Sequence, residues 1–307
     1  MTNWFLTALI APFLYSIVNH LDKYILSKYI KGAGVAAILI FSCVSSLILL
    51  PLILFYYHTA ILNITVESFS IMLLAGFMSA TALYLYLKAM DIEEASMVIP
   101  IYQLIPIFGY FLSYFILNEK LNTSQIFACL LILAGILLLT LEFDVNRKIK
   151  FKTKVLFLVA TSSFLFALHD TLFKMVAITE SFWITVFWQY FSIAVFGLLL
   201  LIFVKKFRMS LVQMLSFTRK KILSLNVLSE GLYILGNLAS NFATLLAPVA
   251  LVLVIGSLQP LFVFIIGTLL SIFIPSLSHE KLSKQHMLQK IASIVLILAG
   301  SWFLFAN

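Results

Sequence analysis

Apolar runs of about twenty residues, parted by short polar breaks, follow one another along the whole chain. Ten can be read, at residues 3–21, 34–57, 69–90, 96–117, 124–141, 154–176, 182–203, 222–244, 248–274 and 286–305. Hydrocarbon offers no partner to a backbone N–H or C=O, so a run of that length in lipid must satisfy its own groups as an α-helix. The pattern therefore predicts an all-α membrane protein with ten transmembrane helices and no extramembrane domain. A soluble alternative fails on composition: of 307 residues, 63% are hydrophobic and 10% charged, too few charges to cover a surface in water. The first run has no basic segment ahead of it and leads straight into further apolar runs, so it reads as a retained helix rather than a leader.

Charge placement carries the next inference. The formal net charge is +8, yet the basic residues cluster between apolar runs, which argues against a nucleic-acid surface. Eighteen of the twenty Lys and Arg residues fall in or beside the breaks after runs one, three, five, seven and nine, and only Lys120 and Lys174 fall on the other side. The positive-inside rule puts those odd-numbered loops in the cytoplasm and both termini outside, in a bacterial or archaeal plasma membrane. Cys43 and Cys129 each lie within an apolar run, where a structural disulfide is not expected.

The two halves of the chain repeat one another. Phe13-Leu14-Tyr15-Ser16, followed by Asn19, Leu21 and Lys23, aligns with Phe164-Leu165-Phe166-Ala167, followed by Asp170, Leu172 and Lys174. Pro106 aligns with Pro260, and each precedes a Glu-Lys-Leu element, Glu119-Lys120-Leu121 and Glu280-Lys281-Leu282. The run Leu131-Ile132-Leu133-Ala134-Gly135 returns as Leu296-Ile297-Leu298-Ala299-Gly300. Five helices per repeat is an odd number, so the second copy, residues 145–307, must enter the membrane upside down relative to the first, residues 1–144. Two inverted five-helix repeats are the architecture that rocks around a midplane site.

Ten helices in two such repeats, each with a proline-bearing fourth helix ending in Glu-x-Leu and a fifth closing in Ala-Gly, resemble the EamA-like branch of the drug/metabolite transporter superfamily. The resemblance covers nearly the whole chain. It implies movement of small metabolites such as amino acids, amines or nucleotide sugars, often coupled to protons or to exchange. Several members of that family are described with cytoplasmic termini, opposite to the charge reading of this chain.

Ionisable groups within the apolar runs are the candidates for chemistry, because each costs roughly 2.5–3.5 kcal/mol to insert. Glu230 lies eight residues into the eighth run, with Tyr233, Asn237 and Asn241 at helical spacing on the same face. That stripe can bind a cationic substrate or a proton, or it can hydrogen-bond neighbouring helices and hold the bundle together. The cluster of His169, Asp170 and Lys174 in the sixth run has the cluster of Asn19, His20, Asp22 and Lys23 in the first as its counterpart, and inversion would set the two at opposite faces as gates. Asp22, Lys23 and Lys174 read as interfacial residues that snorkel to water.

Pro100 and Pro106 interrupt the fourth run and Pro260 the ninth, and breaks at matching places in two repeats point to a binding site. Tyr102, Gln103, Ser257 and Gln259 flank them as candidate cavity residues. Tyr84, with Lys88 four residues on, and Trp188-Gln189-Tyr190 are further candidates; Tyr84 and Trp188 would cage a quaternary amine if they faced one cavity. Trp183, Tyr56 and Tyr57 read as interfacial belt, and Glu119 and Glu280 as turn-ordering residues near the membrane surface.

His279-Glu280 opens like a zinc-protease motif, but Ser283 stands where the second His is required, so no metal site is read. No glycine-rich phosphate loop or Gly-x-Ser-x-Gly occurs, and no cofactor is implied. The expectation is a secondary transporter, not an enzyme, whose partners are a small-molecule substrate and the lipid bilayer, acting as monomer or homodimer. A flippase for a phosphorylated lipid carrier is the alternative within transport, and a membrane enzyme or scaffold the alternative outside it.

Overall fold

A computed structural model describes residues 2–28, 34–93, 95–140, 153–217, 220–273 and 284–306. These residues form α1 (Thr2–Lys28), α2 (Gly34–Ser45), α3 (Leu50–Ile61), α4 (Val66–Ile92), α5 (Ala95–Tyr102), α6 (Leu104–Leu117) and α7 (Thr123–Thr140). There follow α8 (Thr153–Thr179), α9 (Phe182–Phe203), α10 (Lys205–Phe217), α11 (Lys220–Leu246), α12 (Val249–Gly256), α13 (Gln259–Phe273) and α14 (Lys284–Ala306). No strand occurs among the described residues. Large apolar side chains such as Phe55, Phe115, Phe203, Phe273 and Trp302 stand exposed on the outside of the bundle, a surface matched to lipid.

Among the described residues, seven stretches are long and apolar enough to cross a membrane, or eight when a bent pair is taken as one span. The bent pair is Ile38–Ile48 with Leu50–Ile61, at 48°. Pro51 sits in the first turn of α3, and its ring and missing N–H prevent α2 from continuing through this point. A short 3-10 turn at Ser46–Ile48 fills the gap. The predicted eighth and tenth runs are also helical. α11, however, carries Asn226, Glu230, Asn237 and Asn241, which dilute its apolar character, and the described apolar part of α14 is Gln289–Leu304.

Two spans are broken where the prolines foretell it. α5 stops at Tyr102 and α6 resumes at Leu104; α12 stops at Gly256 and α13 resumes at Gln259. Pro106 and Pro260 follow each break by a few residues, and each deprives the carbonyl four residues earlier, at Tyr102 and Gly256, of its helical partner.

One element was not foreseen. α10 occupies what reads in sequence as a short basic connection, with Lys205, Lys206 and Arg208 exposed and Phe207 packed against Tyr84. A basic amphipathic helix of this kind lies along a membrane surface rather than across it.

The packing is paired. α1 lies along α11 as α4 lies along α8; α1 contacts α13 as α8 contacts α6; α7 lies along α14. Asp22 meets Ser229 while Tyr15 stacks near Gly236, so α1 and α11 run antiparallel. α7 and α14 also cross antiparallel, at two glycines. A Cβ on Gly135 would stand 2.8 Å from Ser293 O and from Ile297 Cγ1, and one on Gly300 would stand 2.8 Å from Ala128 O and 2.7 Å from Ile132 Cγ1. These are equivalent residues of the two Leu-Ile-Leu-Ala-Gly runs, and only glycine lets the backbones approach this closely.

Candidate functional site

The helices line an open cavity, whose empty space, solvent at its mouth included, is about 530 Å³. α2 and the 3-10 turn contribute Ser42, Ser45 and Ser46, α4 contributes Ser79, and α8 contributes Phe166. Gln189 and Tyr190 come from α9, and Glu230, Tyr233 and Asn237 from α11. Serines at positions 42, 45 and 46 share one helical face, so a polar strip of hydroxyls faces the polar strip of α11. Among the described residues, Glu230 is the one carboxylate that lines this space, and no Lys or Arg lines it.

Glu230 Oε1 accepts a hydrogen bond from Ser42 Oγ at 3.1 Å, and Ser45 also hydrogen-bonds the carboxylate. One residue earlier, Ser229 Oγ donates to Asp22 Oδ1 of α1 at 2.7 Å. Asp22, read from sequence as interfacial, thus bonds within the bundle beside Glu230. Tyr15 of α1 stacks on Tyr233, with ring centroids 5.1 Å apart, and hydrogen-bonds Asn237.

A second set of polar groups adjoins the cavity. Asn241, one turn beyond Asn237 and buried, donates from Nδ2 to Gln189 Oε1 at 2.8 Å and to Asn237 Oδ1 at 3.2 Å. Tyr190 donates its hydroxyl to Asn237 Oδ1 at 3.0 Å. Gln189 Nε2 lies 3.0 Å from His169 Nε2, and His169 Nδ1 lies 2.8 Å from Asp170 Oδ1. Buried amides in a bundle need all these partners, because an unmade hydrogen bond in an apolar interior costs about 1–3 kcal/mol.

Lys174 differs from its sequence reading. It does not snorkel to an interface; it is buried, ion-paired with Glu119, and its Nζ donates to Ala247 O at 2.8 Å. Glu119 Oε2 accepts from the backbone N–H of Val249 at 2.8 Å and so caps α12. The turn-ordering role read for Glu119 acts across the bundle, on the α11–α12 junction. Glu280 lies outside the described residues, as does the side chain of Lys23.

The remaining predicted residues are dispersed. Trp188 points away from the cavity, donating from Nε1 to Ile61 O at 3.3 Å and packing on Phe69, Phe187 and Phe191. Tyr84 packs on Phe207 under Lys88. The amine cage these two would have formed is therefore absent. Tyr102 packs on Tyr86 and Phe166, the latter a cavity residue. Gln103 is buried at the break between α5 and α6, with Nε2 3.5 Å from Ile99 O. Ser257 bonds back to Leu253 O at 3.1 Å, and Gln259 opens α13. Asn19 is exposed, and His20 Nε2 lies 3.1 Å from Val263 O of α13. The structure thus gathers Glu230, Tyr233, Asn237, Asn241, His169 and Asp170, together with Gln189 and the serines. The serine spacing on α2 was the available signal for the hydroxyl strip.

Residues 2–141 match the EamA-like transporter family. No curated protein matches the chain in sequence. One solved structure, described only as "Crystal structure of protein", superposes with a TM-score of 0.68 at 12% identity, covering 99% of this chain and 96% of the other. At that identity the likeness shows a shared fold and nothing about a substrate.

Proposed function

Residues 2–141 belong to the EamA-like transporter family, and from this premise we propose that this integral membrane protein is a secondary transporter of a small polar or cationic metabolite. The observation that carries the substrate class is the central cavity with one carboxylate, Glu230, and no Lys or Arg among its described lining residues. A cation about 4 Å from an ionised Glu230 gains roughly 4 kcal/mol at an effective dielectric of about 20, and an anion loses as much. The serine hydroxyl oxygens accept hydrogen bonds from the rest of the substrate, and Tyr233 and Phe166 supply aromatic faces.

In this reading the chain is two inverted repeats, residues 1–144 and 145–307, with ten spans. The broken spans α5–α6 and α12–α13, the paired packing and the antiparallel glycine crossing of α7 on α14 support it. Inversion makes the bundle able to expose the cavity to either side in turn. Glu230 binds the cation or the coupling proton, and α1 and α8, which carry Asn19, His20, His169 and Asp170, are the helices that shift as access changes. The positive-inside bias puts both termini outside the cytoplasmic membrane.

The test is counterflow in liposomes holding the purified protein, with radiolabelled methylammonium, choline and a panel of amino acids and anionic sugar phosphates. Cation or zwitterion exchange that Glu230→Gln abolishes is the expected result. Exchange of sugar phosphates alone, or exchange indifferent to Glu230→Gln, would overturn the assignment.

A further inference from the structure

His169 is 2% exposed and stands behind the cavity wall rather than in it. The orientation of the Gln189 amide assigns which ring nitrogen carries the proton. A carboxylate only accepts, so Nδ1, 2.8 Å from Asp170 Oδ1, is the protonated nitrogen. An amide nitrogen only donates, so Nε2, 3.0 Å from Gln189 Nε2, is the bare one. The rest of the chain follows in one direction. Gln189 turns its Oε1 to Asn241 Nδ2, and Asn237 Oδ1 receives Tyr190 OH at 3.0 Å, Asn241 Nδ2 at 3.2 Å and Gln189 Nε2 at 3.5 Å. With Tyr190, Asn241 and Gln189 all donating to it, that oxygen has no lone pair to offer a substrate.

We propose that His169 is a positioning residue whose protonation reverses the amide of Gln189 and turns the Asn237 oxygen into an acceptor for the substrate. A proton on Nε2 sets two donors face to face. The Gln189 amide then rotates to give Oε1 to the ring, and its NH2 group swings to where Asn241 Nδ2 now donates. Asn241 must rotate in turn, so both amide donors leave Asn237 Oδ1. Asn237 lines the cavity, and its freed oxygen receives an ammonium or hydroxyl hydrogen from the bound molecule. The imidazolium is balanced by Asp170 beside it, so the main change at the wall is in hydrogen-bond polarity.

The other groups facing this network are Tyr15 of α1, Tyr102 of α5, Tyr190 of α9, and Tyr233 and Glu230 of α11. The Lys174–Glu119 pair lies a little over a turn further along α8. Glu230 bonds to Ser42 and Ser45 rather than to this amide chain.

The consequence for substrate rests on the transporter reading, whereas the amide reversal does not. The experiment is nitrogen-15 NMR of the full-length protein in nanodiscs, labelled at histidine rings and at Gln and Asn side-chain amides, from about pH 8 to about pH 5. Spectra of His169→Asn, Gln189→Leu and Asn237→Ala assign the signals. The expected result is an Nδ1–H tautomer at high pH, with the Gln189 and Asn237 amide resonances moving at the same midpoint as the ring. An Nε2–H tautomer, a ring that does not titrate, or amide signals that stay still while it does would each overturn the proposal. Methylammonium binding by calorimetry is the second arm: its pH profile changes shape in His169→Asn if the switch operates, and an unchanged profile counts against it. If wild type binds no methylammonium, the cation reading fails, and the amide resonances decide the switch on their own.

Discussion

The two helices that open the two halves pack alike and carry different chemistry. α1 lies along α11 and α8 along α4, yet Asn19 of α1 is exposed and His20 reaches one backbone carbonyl, while His169 and Asp170 of α8 enter a side-chain network that crosses to α9 and α11. The α7–α14 crossing keeps its equivalence down to single atoms around Gly135 and Gly300. Backbone packing is thus repeated where the contact is only steric, and abandoned where a polar group has work to do. The cavity draws its carboxylate and amides from the second half and its serines from the first.

The largest expected effect breaks that division of labour. Glu230→Gln removes the one carboxylate among the described lining residues and leaves the hydrogen bond from Ser42 available to the amide oxygen. Counterflow of any cationic substrate should fall by at least about tenfold, the factor that 1.4 kcal/mol represents, while thermal stability stays near wild type. The conservative replacement of Ser42 by Ala should weaken exchange by less.

Next comes the buried pair that joins the halves. Lys174→Met strands Glu119 in the bundle and should destabilise the fold by about 3–5 kcal/mol, seen as a lowered denaturation midpoint. The double variant Lys174→Met with Glu119→Gln should recover most of that loss, since no buried charge then lacks a partner. If the double variant is as unstable as the single one, the pair is not what closes this end of the bundle.

The glycine crossing supplies the third test. Gly135→Val and Gly300→Val each drive a side chain into the facing backbone, and each should cost about 1–3 kcal/mol by overpacking. Equal losses sharpen the claim that this contact is a two-fold one. A loss confined to one of them breaks it.

Much of this was legible in the chain, for physical reasons that can be named. Run length foretells the helices because lipid leaves the backbone no alternative, and residues 182–203 match α9 at both ends. Pro106 and Pro260 foretell the breaks because a missing N–H acts locally. The stripe from Glu230 to Asn241 is legible because helical spacing alone puts it on one face. What crosses between helices was not. Lys174 reads as an interfacial lysine until Glu119, far away in the chain, is placed beside it. Serines in apolar helices bond back to their own carbonyls, as Ser45 does to Phe41 O, so they carry little signal of facing a cavity. α10 was missed because its charges made a helix look like a loop.

The smallest effect is the one that sharpens the opening comparison most directly. His20 and His169 belong to matching stretches of the two halves, and a symmetric gate would make them equally sensitive. Among the described residues, His20 instead has a hydrogen bond to Val263 O and is partly buried, while His169 is buried between Asp170 and Gln189. His169→Phe strips partners from both neighbours and should cost about 1–3 kcal/mol. His20→Phe, which gives up one hydrogen bond at a partly buried site, should cost less, about 0.5–1 kcal/mol. Both values come from thermal or denaturant unfolding of the purified variants in one detergent. Equal losses would make the two stretches structurally equivalent; the expected inequality confines the polar network to α8, in the half that already supplies the carboxylate and the amides of the cavity.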